Sequence, residues 1–357
     1  MKILFLGEPD SPNTISWVNG LREQGADVVM ASARANENTH DCIPIGRPTL
    51  PPRIRILTGV QSLKKIISEV RPDILLAYRV TSYGYIAAKS GFHPLVIAAQ
   101  NEQIVYLPTP SYLRRKFLER CAKFAVLHAD LLHAWSSNIA DGLKKFGADE
   151  QMILTLHRGI DTEIFQPDSA KTFNPDAPAF ISTRSLYPEY RIETVISAFS
   201  ELLNKIPGAH LHIAGSGPEE ENLKQLAARA GAADKVTFHG RLPHEKTAAL
   251  LRKSDIYISV IETEGLSSSL IEAAACGIMP IVTDMPASRE LIKDKKNGLL
   301  TAAISTEKLA DLMKEAAKSI VYMHKDLHAN AERIRTKFDR KTNQNVFIEK
   351  YRNLLQD

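Results

Sequence analysis

The sequence predicts an α/β protein built from two parallel-sheet domains, and three observations carry that reading. The chain has 357 residues, enough for two cores. It opens strand, loop, helix, strand, a βαβ start that implies a parallel sheet. The same alternation begins again after residues 167–178, a polar stretch with three prolines that reads as a linker.

The first elements follow from pattern. Lys2 to Leu6 is an unbroken apolar strand ended by Gly7, and Thr14 opens a helix to Gln24. Gly25 stops that helix before the strand Asp27 to Ala31. Residues 34–60 have no firm period and are expected as loop. Ser62 to Val70 and Tyr83 to Lys89 read as helices, with strands at Asp73 to Ala77 and Leu95 to Ala99. Ser111 to Leu127 is helical, and a strand from Ala129 leads into a helix ending at Phe146. After the linker come strands at Ala179, His210 and Val236, each followed by a helix, and the helices from Glu307 onward are amphipathic.

Composition narrows the function. An apolar content of 44% and a charged content of 24% are those of a soluble globular protein. A net charge of +4 is too small to argue for nucleic acid. Three unpaired-looking cysteines, Cys42, Cys121 and Cys276, fit buried thiols in a reducing compartment. MKILFLGEPD is too short an apolar run for a signal peptide, and no apolar stretch approaches the ~20 residues a span needs, so a cytoplasmic protein is expected.

The informative stretch is Ser254 to Asp284. Ile256, Ile258 and Val260 alternate as a strand, Glu262-Thr263-Glu264-Gly265 breaks it, and Leu266 with Leu270 to Cys276 is helical. Pro280-Ile281-Val282 begins the next strand. Ser267, Ser268 and Ser269 fall on the first turn, where helix N-terminal donors favour an anion. Glu264 in the loop and Glu272 on the helix frame that turn. A ligand with phosphates in the middle and hydroxyls at both ends, a nucleotide sugar, suits the arrangement; an ordinary serine cap between solvated glutamates suits the spacing equally. Arg184 and Arg191, in and after another strand-to-helix loop, could meet a pyrophosphate or simply face water.

The stretch resembles the E-x7-E motif of the retaining GT-B glycosyltransferases of family 4. It stands here as Glu264-Gly265-Leu266-Ser267, Glu272-Ala273, Ala275, Gly277 and Pro280. Further resemblance lies in Thr183-Arg184 with Tyr190-Arg191-Ile192, in Gly215-Ser216-Gly217-Pro218, in Arg158-Gly159-Ile160-Asp161 with Phe165 and Pro167, and in Asn297-Gly298-Leu299-Leu300. The resemblance implies GT-B architecture: two Rossmann-like doubly wound domains facing a central cleft. Residues 1–165 would bind acceptor and 166–335 the nucleotide sugar. Residues 336–357 would form a helix crossing back to the first domain, packed through Phe338, Phe347 and Tyr351.

It also implies roles. Arg184 and Arg191 would neutralise the leaving diphosphate, Glu264 would contact the donor sugar, and Glu272 the ribose. Gly215, Gly217, Gly265, Leu266, Ser267 and Ser268 would hold the phosphates, and Arg241 would lie near the base. Gly7 and Glu8 would lie near the transferred sugar, unless they form a plain turn. The sequence departs from the family in the first domain, where Leu76-Ala77-Tyr78 replaces a His-Ala-His and Gln100 takes the place of a His. A glutamine hydrogen-bonds but is no base; the donor phosphate or Glu102 could take the acceptor proton instead.

The implied activity is transfer of a sugar, with retention of configuration, from a nucleotide-diphosphate donor to a hydroxyl on a glycan, a lipid-linked glycan or a small molecule. Other outcomes are a non-catalytic homologue and a GT-B phosphorylase or epimerase. No Asp-x-Asp occurs, so metal-independent transfer without a resident cofactor is expected. Residues 111–127 place Leu113, Phe117, Leu118, Cys121 and Phe124 on one face, with Arg114, Arg115, Lys116, Arg120 and Lys123 around the rest. That pattern suits an anionic membrane surface at the inner face of the membrane. It also suits an ordinary domain helix, the reading that burial of Cys121 and Phe124 would favour.

Overall fold

The computed structural model describes all residues except 36–40, 47–51, 101–110, 263, 303, 304 and 357. The chain forms two units, Met1–Arg158 with Arg340–Asp357, and Gly159–Asp339.

The first unit holds a parallel sheet of β1 (Lys2–Leu6), β2 (Asp27–Ser32), β3 (Cys42–Pro44), β4 (Ile74–Tyr78), β5 (Leu95–Ala99), β6 (Leu131–Ala134) and β7 (Ile153–Thr155). Their order is β3-β2-β1-β4-β5-β6-β7. The central strands are apolar and buried on both faces, as strands covered by helices on either side must be. Helices α1 (Pro12–Glu23), α2 (Pro52–Val70), α3 (Tyr85–Ser90), α4 (Tyr112–Leu127) and α5 (Ser137–Lys145) provide that cover. Residues 34–60, expected as loop, instead contain β3 and the first turns of α2. A three-residue edge strand and a helix opening on proline give no period to detect.

The second unit repeats the plan with β8 (Ala179–Ser182), β9 (His210–Ile213), β10 (Val236–Phe238), β11 (Ile256–Ser259), β12 (Met279–Thr283) and β13 (Leu299–Thr301). The order β10-β9-β8-β11-β12-β13 is the doubly wound order in which the chain reverses between the first and fourth strands. Its helices are α6 (Ile192–Leu203), α7 (Glu220–Arg229), α8 (His244–Lys253), α9 (Ser268–Ala275), α10 (Pro286–Leu291) and α11 (Thr306–Lys337). Both sheets thus open a crevice at one place, beyond the carboxyl ends of β1 and β4 and beyond those of β8 and β11.

The last helix, α12 (Arg340–Asn353), belongs to the first unit. Phe347 and Tyr351 lie in its core against Trp17 and His133. Phe338 does not share that packing. It sits in the second unit with Ile160, Phe165 and Ile334, and its carbonyl accepts from the Ile160 amide at 2.8 Å. Unit boundaries at Arg158 and Asp339 replace those expected at residues 165 and 335. Cys121 and Cys276 are buried, and Cys42 on the edge strand is half-buried. Burial pushes the three thiols up to about 11–12, which leaves them protonated and unreactive at neutral pH.

Candidate active site

In a parallel sheet all carboxyl ends lie along one edge. Arg184 follows β8, Gly215 and Gly217 follow β9, Arg241 follows β10, and Glu262 to Ser267 follow β11. All therefore emerge on one rim of the second unit. Beyond the paired residues Tyr257 and Ile181 the two central chains separate, and their loops line the crevice.

Arg184 is the centre of the site and is buried, 6% exposed. Its guanidinium donates to the Glu264 carboxylate through Nη2. Through Nη1 it donates to Ser267 Oγ at 2.5 Å and Ser269 Oγ at 2.8 Å. The two serine hydroxyls share a bond of 2.9 Å, and Tyr257 donates its hydroxyl to Ser269 at 3.0 Å. The Tyr190 ring lies 4.4 Å from the guanidinium carbon. Burial is the largest single influence and opposes the charge, but Glu264 with Tyr257 and Tyr190 together hold the guanidinium pKa above its ordinary value. A fixed cation is thus tied to the first turn of α9, where backbone amides and the helix dipole also favour an anion. Ser267 precedes that helix yet makes no side-chain cap; its hydroxyl is turned to Arg184 instead.

Three adjacent polar atoms here, Ser182 Oγ, Thr183 Oγ1 and Arg184 Nε, are buried and have no hydrogen-bond partner among the described residues. Such atoms are uncommon in folded proteins, and their grouping at a crevice fits a polar ligand.

Arg191 takes a left-handed backbone, φ 48°, immediately before α6, and its side chain pairs with Glu262. The sequence places Glu262, two residues from Glu264, in the strand-ending loop but gives it no site role, and gives none to Tyr190 or Tyr257. Ser269 joins the arginine network beside Ser267. A serine run at a helix start marks the turn but leaves open which hydroxyls face inward.

Gly215 and Gly217 serve the loop after β8. A Cβ at Gly215 would overlap the Arg184 carbonyl oxygen, and one at Gly217 the Leu186 carbonyl oxygen. Across that approach the Leu186 amide donates to the Ser216 carbonyl at 3.0 Å, and the Glu219 amide to the Leu186 carbonyl at 3.1 Å. The two glycines therefore fix the position of Arg184.

The remaining expected residues divide. Gly265 and Leu266 are buried, with the Leu266 side chain in the apolar cluster of α9, so only its backbone can serve a ligand. Glu272 is half-buried one turn beyond Ser268 and Ser269, and Arg241 is exposed beyond β10. In the first unit, Gly7 is required by Phe5, whose ring lies 2.6 Å from where a Cβ would stand, so packing explains this glycine. Gln100 is half-buried at the end of β5, and Glu102 lies outside the described residues. Glu8 is held by Arg79 through two bonds, of 2.8 and 3.1 Å, at the other crevice, beyond β1 and β4.

Comparisons with known proteins bear on the family and the fold. The model of glycosyl transferases group 1 matches residues 165–334, and that of glycosyl transferase 4-like proteins matches residues 2–136. The GDP-mannose-dependent alpha-(1-6)-phosphatidylinositol monomannoside mannosyltransferase of Mycobacterium tuberculosis is 29% identical over 174 residues, 45% of either chain. The match thus spans under half the length of that relative. Among solved structures, sucrose-phosphate synthase of Thermosynechococcus elongatus superposes with a TM-score of 0.81 at 16% identity, covering 100% of this chain and 99% of its own. Anabaena HepE in complex with UDP-glucose gives 0.78 at 16% identity, covering 99% and 100%. These likenesses give the two parallel-sheet domains the GT-B architecture. Since the two family models match most of the sequence, one over each unit, the chain belongs to the glycosyl transferases group 1 family.

Proposed function

We propose that the chain is a glycosyltransferase that moves a sugar from a nucleotide-diphosphate donor to a hydroxyl acceptor with retention of configuration. The observation that carries this is Arg184, buried and held at once by Glu264, Ser267 and Ser269 at the strand crossover of the second unit. In transfer, the bond from the anomeric carbon to the phosphate oxygen breaks and its electron pair stays on the diphosphate. Arg184, with Arg191 and the α9 amides, stabilises the charge that grows there, the largest catalytic effect such a site offers. Glu264 accepts a hydrogen bond from the donor sugar and Glu272 from the ribose. The acceptor oxygen forms the new bond on the face the diphosphate leaves, and its proton passes to the departing phosphate oxygen. That route suits Gln100, which cannot take a proton.

The donor is a nucleotide sugar of a base still to be identified: the mycobacterial relative is named for GDP-mannose, and HepE was solved with UDP-glucose. Two guanidiniums can neutralise the diphosphate without a metal, so activity is expected to survive chelation. The acceptor is a glycan, a lipid-linked glycan or a small hydroxyl compound, met on the cytoplasmic side. Peripheral membrane contact through 111–127 is part of the same proposal. Tyr112, Leu113 and Phe117 are exposed by 68%, 80% and 47%, whereas Cys121, Ala122, Ala125 and Val126 are buried, so only the amino-terminal half of α4 is available for it. Among the described residues no helix is long and apolar enough to cross a membrane.

Thermal-shift screening against UDP-, GDP- and ADP-sugars identifies the donor. Turnover is then compared for wild type, Arg184→Ala and Glu264→Ala. The proposal expects both variants to fall well below wild type; equal turnover in all three counts against catalysis at this site.

A further inference from the structure

A second cavity, of about 830 Å³, has all its described lining residues in the first unit. Its described lining includes Glu8 beyond β1, Arg34 beyond β2 and Arg79 beyond β4, so it opens at the crossover of that sheet. We propose that this cavity binds an acceptor that is an anionic amphiphile, its phosphate or carboxylate met by Arg34 and Arg114 and its apolar part laid along Leu113 and Phe117.

Charge comes first. Among the described lining residues, three guanidiniums, Arg34, Arg79 and Arg114, stand against one carboxylate, Glu8. Arg79 spends its charge on Glu8 in a two-bond fork, and Arg34 approaches the same carboxylate at 3.3 Å while 71% exposed. Among the described lining residues two positive charges therefore remain unbalanced, in a concave site where screening by water is reduced. Apolar surface comes second: Ile45, Ile86, Leu113, Phe117 and Leu118 form the other wall. Leu113 and Phe117 are also among the most exposed large apolar side chains in the protein. One ligand satisfies both walls only if it carries an anion beside an apolar chain. A neutral sugar could bond Glu8, Thr81 and Ser82 but would leave the arginine charge unbalanced and the apolar wall uncovered.

The cavity floor is built rather than incidental. Directly after β4 the chain makes a π-helical turn, Arg79–Gly84, an uncommon form that often marks function. Arg79 opens it with φ 84°, a left-handed conformation costly for a side chain of this size. Tyr83 on that turn shares a hydrogen bond with Ser32 at 2.9 Å, and Thr81 and Ser82 line the cavity. The strain sets Arg79 on Glu8 and leaves Glu8 as a fixed acceptor for a substrate hydroxyl near the anion.

Calling the ligand an acceptor rests on the transfer reading; its binding does not, so the two are measured separately. Decyl phosphate below its micellar concentration is titrated into the whole protein and into Arg114→Gln, Arg34→Gln and Phe117→Gln. Decanol and inorganic phosphate serve as controls, and donor-nucleotide thermal shift is followed in each variant. The expected result is saturable binding of decyl phosphate, weakened about tenfold by either arginine change and by Phe117→Gln. Decanol and phosphate alone should bind more weakly still, and the nucleotide shift should stay unchanged. Decanol binding as well as decyl phosphate, or variants that bind like wild type, overturns the inference. Binding to phosphatidylglycerol vesicles with none to monomeric decyl phosphate also overturns it, because α4 is then a surface anchor and the cavity is not the site. Loss of nucleotide binding in wild type with decyl phosphate binding intact would refute the transfer reading alone.

Discussion

Replacing Arg184 by lysine separates the fork of its guanidinium from its charge. In the native site two nitrogens reach three acceptors, Glu264, Ser267 and Ser269, while the plane lies over Tyr190. An ammonium keeps the charge but cannot span the carboxylate and both hydroxyls, and it loses the planar contact with the ring. Two hydrogen bonds to a charged group are at stake, yet Glu264 keeps a cation nearby, so Arg184→Lys should cost about 1–2 kcal/mol of stability. Arg184→Ala removes the cation altogether. Breaking a buried pair costs about 3–5 kcal/mol, and the 22% exposure of Glu264 brings the expectation to about 2–3 kcal/mol. In a unit of this size that is a fall in Tm of about 5–10 °C. Turnover should divide differently. The growing diphosphate charge needs the fork in place, so Arg184→Lys should lower kcat by about 100-fold while it remains folded, and Arg184→Ala by about 1,000-fold. The assay is release of nucleotide diphosphate under saturating donor, beside urea unfolding of the same samples. A folded Arg184→Lys within about threefold of wild-type kcat would refute the role given to this side chain.

Gly215→Ala should cost about 3 kcal/mol in urea unfolding and abolish the nucleotide thermal shift, because its Cβ would overlap the Arg184 carbonyl; an unchanged shift would show that the loop tolerates displacement. Tyr257→Phe removes the hydroxyl that donates to Ser269, so stability should fall by about 1 kcal/mol and donor KM should rise more than kcat falls. His133 is fully buried among Trp17, Phe347 and Tyr351, and burial pushes its pKa down to about 3. The folded protein therefore resists a proton that the unfolded chain takes up near pH 6.5, so stability is complete above that pH and lost below it, by about 2 kcal/mol at pH 5. His133→Phe should remove about that much of the acid loss in urea titrations at pH 7.5 and 5.0, and an unaltered difference between the two pH values would assign the loss elsewhere.

Much of the second unit could be read from sequence because its signals are local. Strand Ala179–Ser182 is a short, mainly apolar run, His210–Ile213 alternates histidine with Leu211 and Ile213, and α6 and α8 have one apolar stripe each. Arg184 and Glu264 could be linked although 80 residues apart, since both end strands of a parallel sheet and such ends share a rim. What could not be read depends on side-chain direction and strand order. Ser269 points to the arginine and Ser267 abandons its cap, choices made by tertiary contacts that outweigh helix-start preferences. Glu262 is one loop acid among several in the sequence, and only the fold sets it beside Arg191. The first unit was harder still. A three-residue edge strand, a proline-led helix and a π-helical turn leave no periodic trace, and the Glu8–Arg79 pair joins residues 71 apart whose meeting requires β4 to lie beside β1.

The two crevices have the same construction with the charges exchanged. In the first unit the loop after the first strand supplies the acid, Glu8, and the residue directly after the fourth is the base, Arg79. In the second, the first-strand loop supplies Arg184 and the fourth-strand loop supplies Glu264. Each pair spans the one place in its sheet where neighbouring loops diverge and no backbone bond can join them. A charged fork there holds the crevice walls at fixed separation, and a polar ligand can be received there without the walls being rebuilt. The exchange of sign has a chemical consequence. The second unit buries its cation among hydroxyls and a helix start, an environment for a diphosphate. The first commits one arginine to its acid and leaves two others at the rim, which suits a ligand that presents a hydroxyl to Glu8 and an anion to Arg34 and Arg114. On the two readings proposed above, one fold with a single pair reversed would serve two sites of different selectivity.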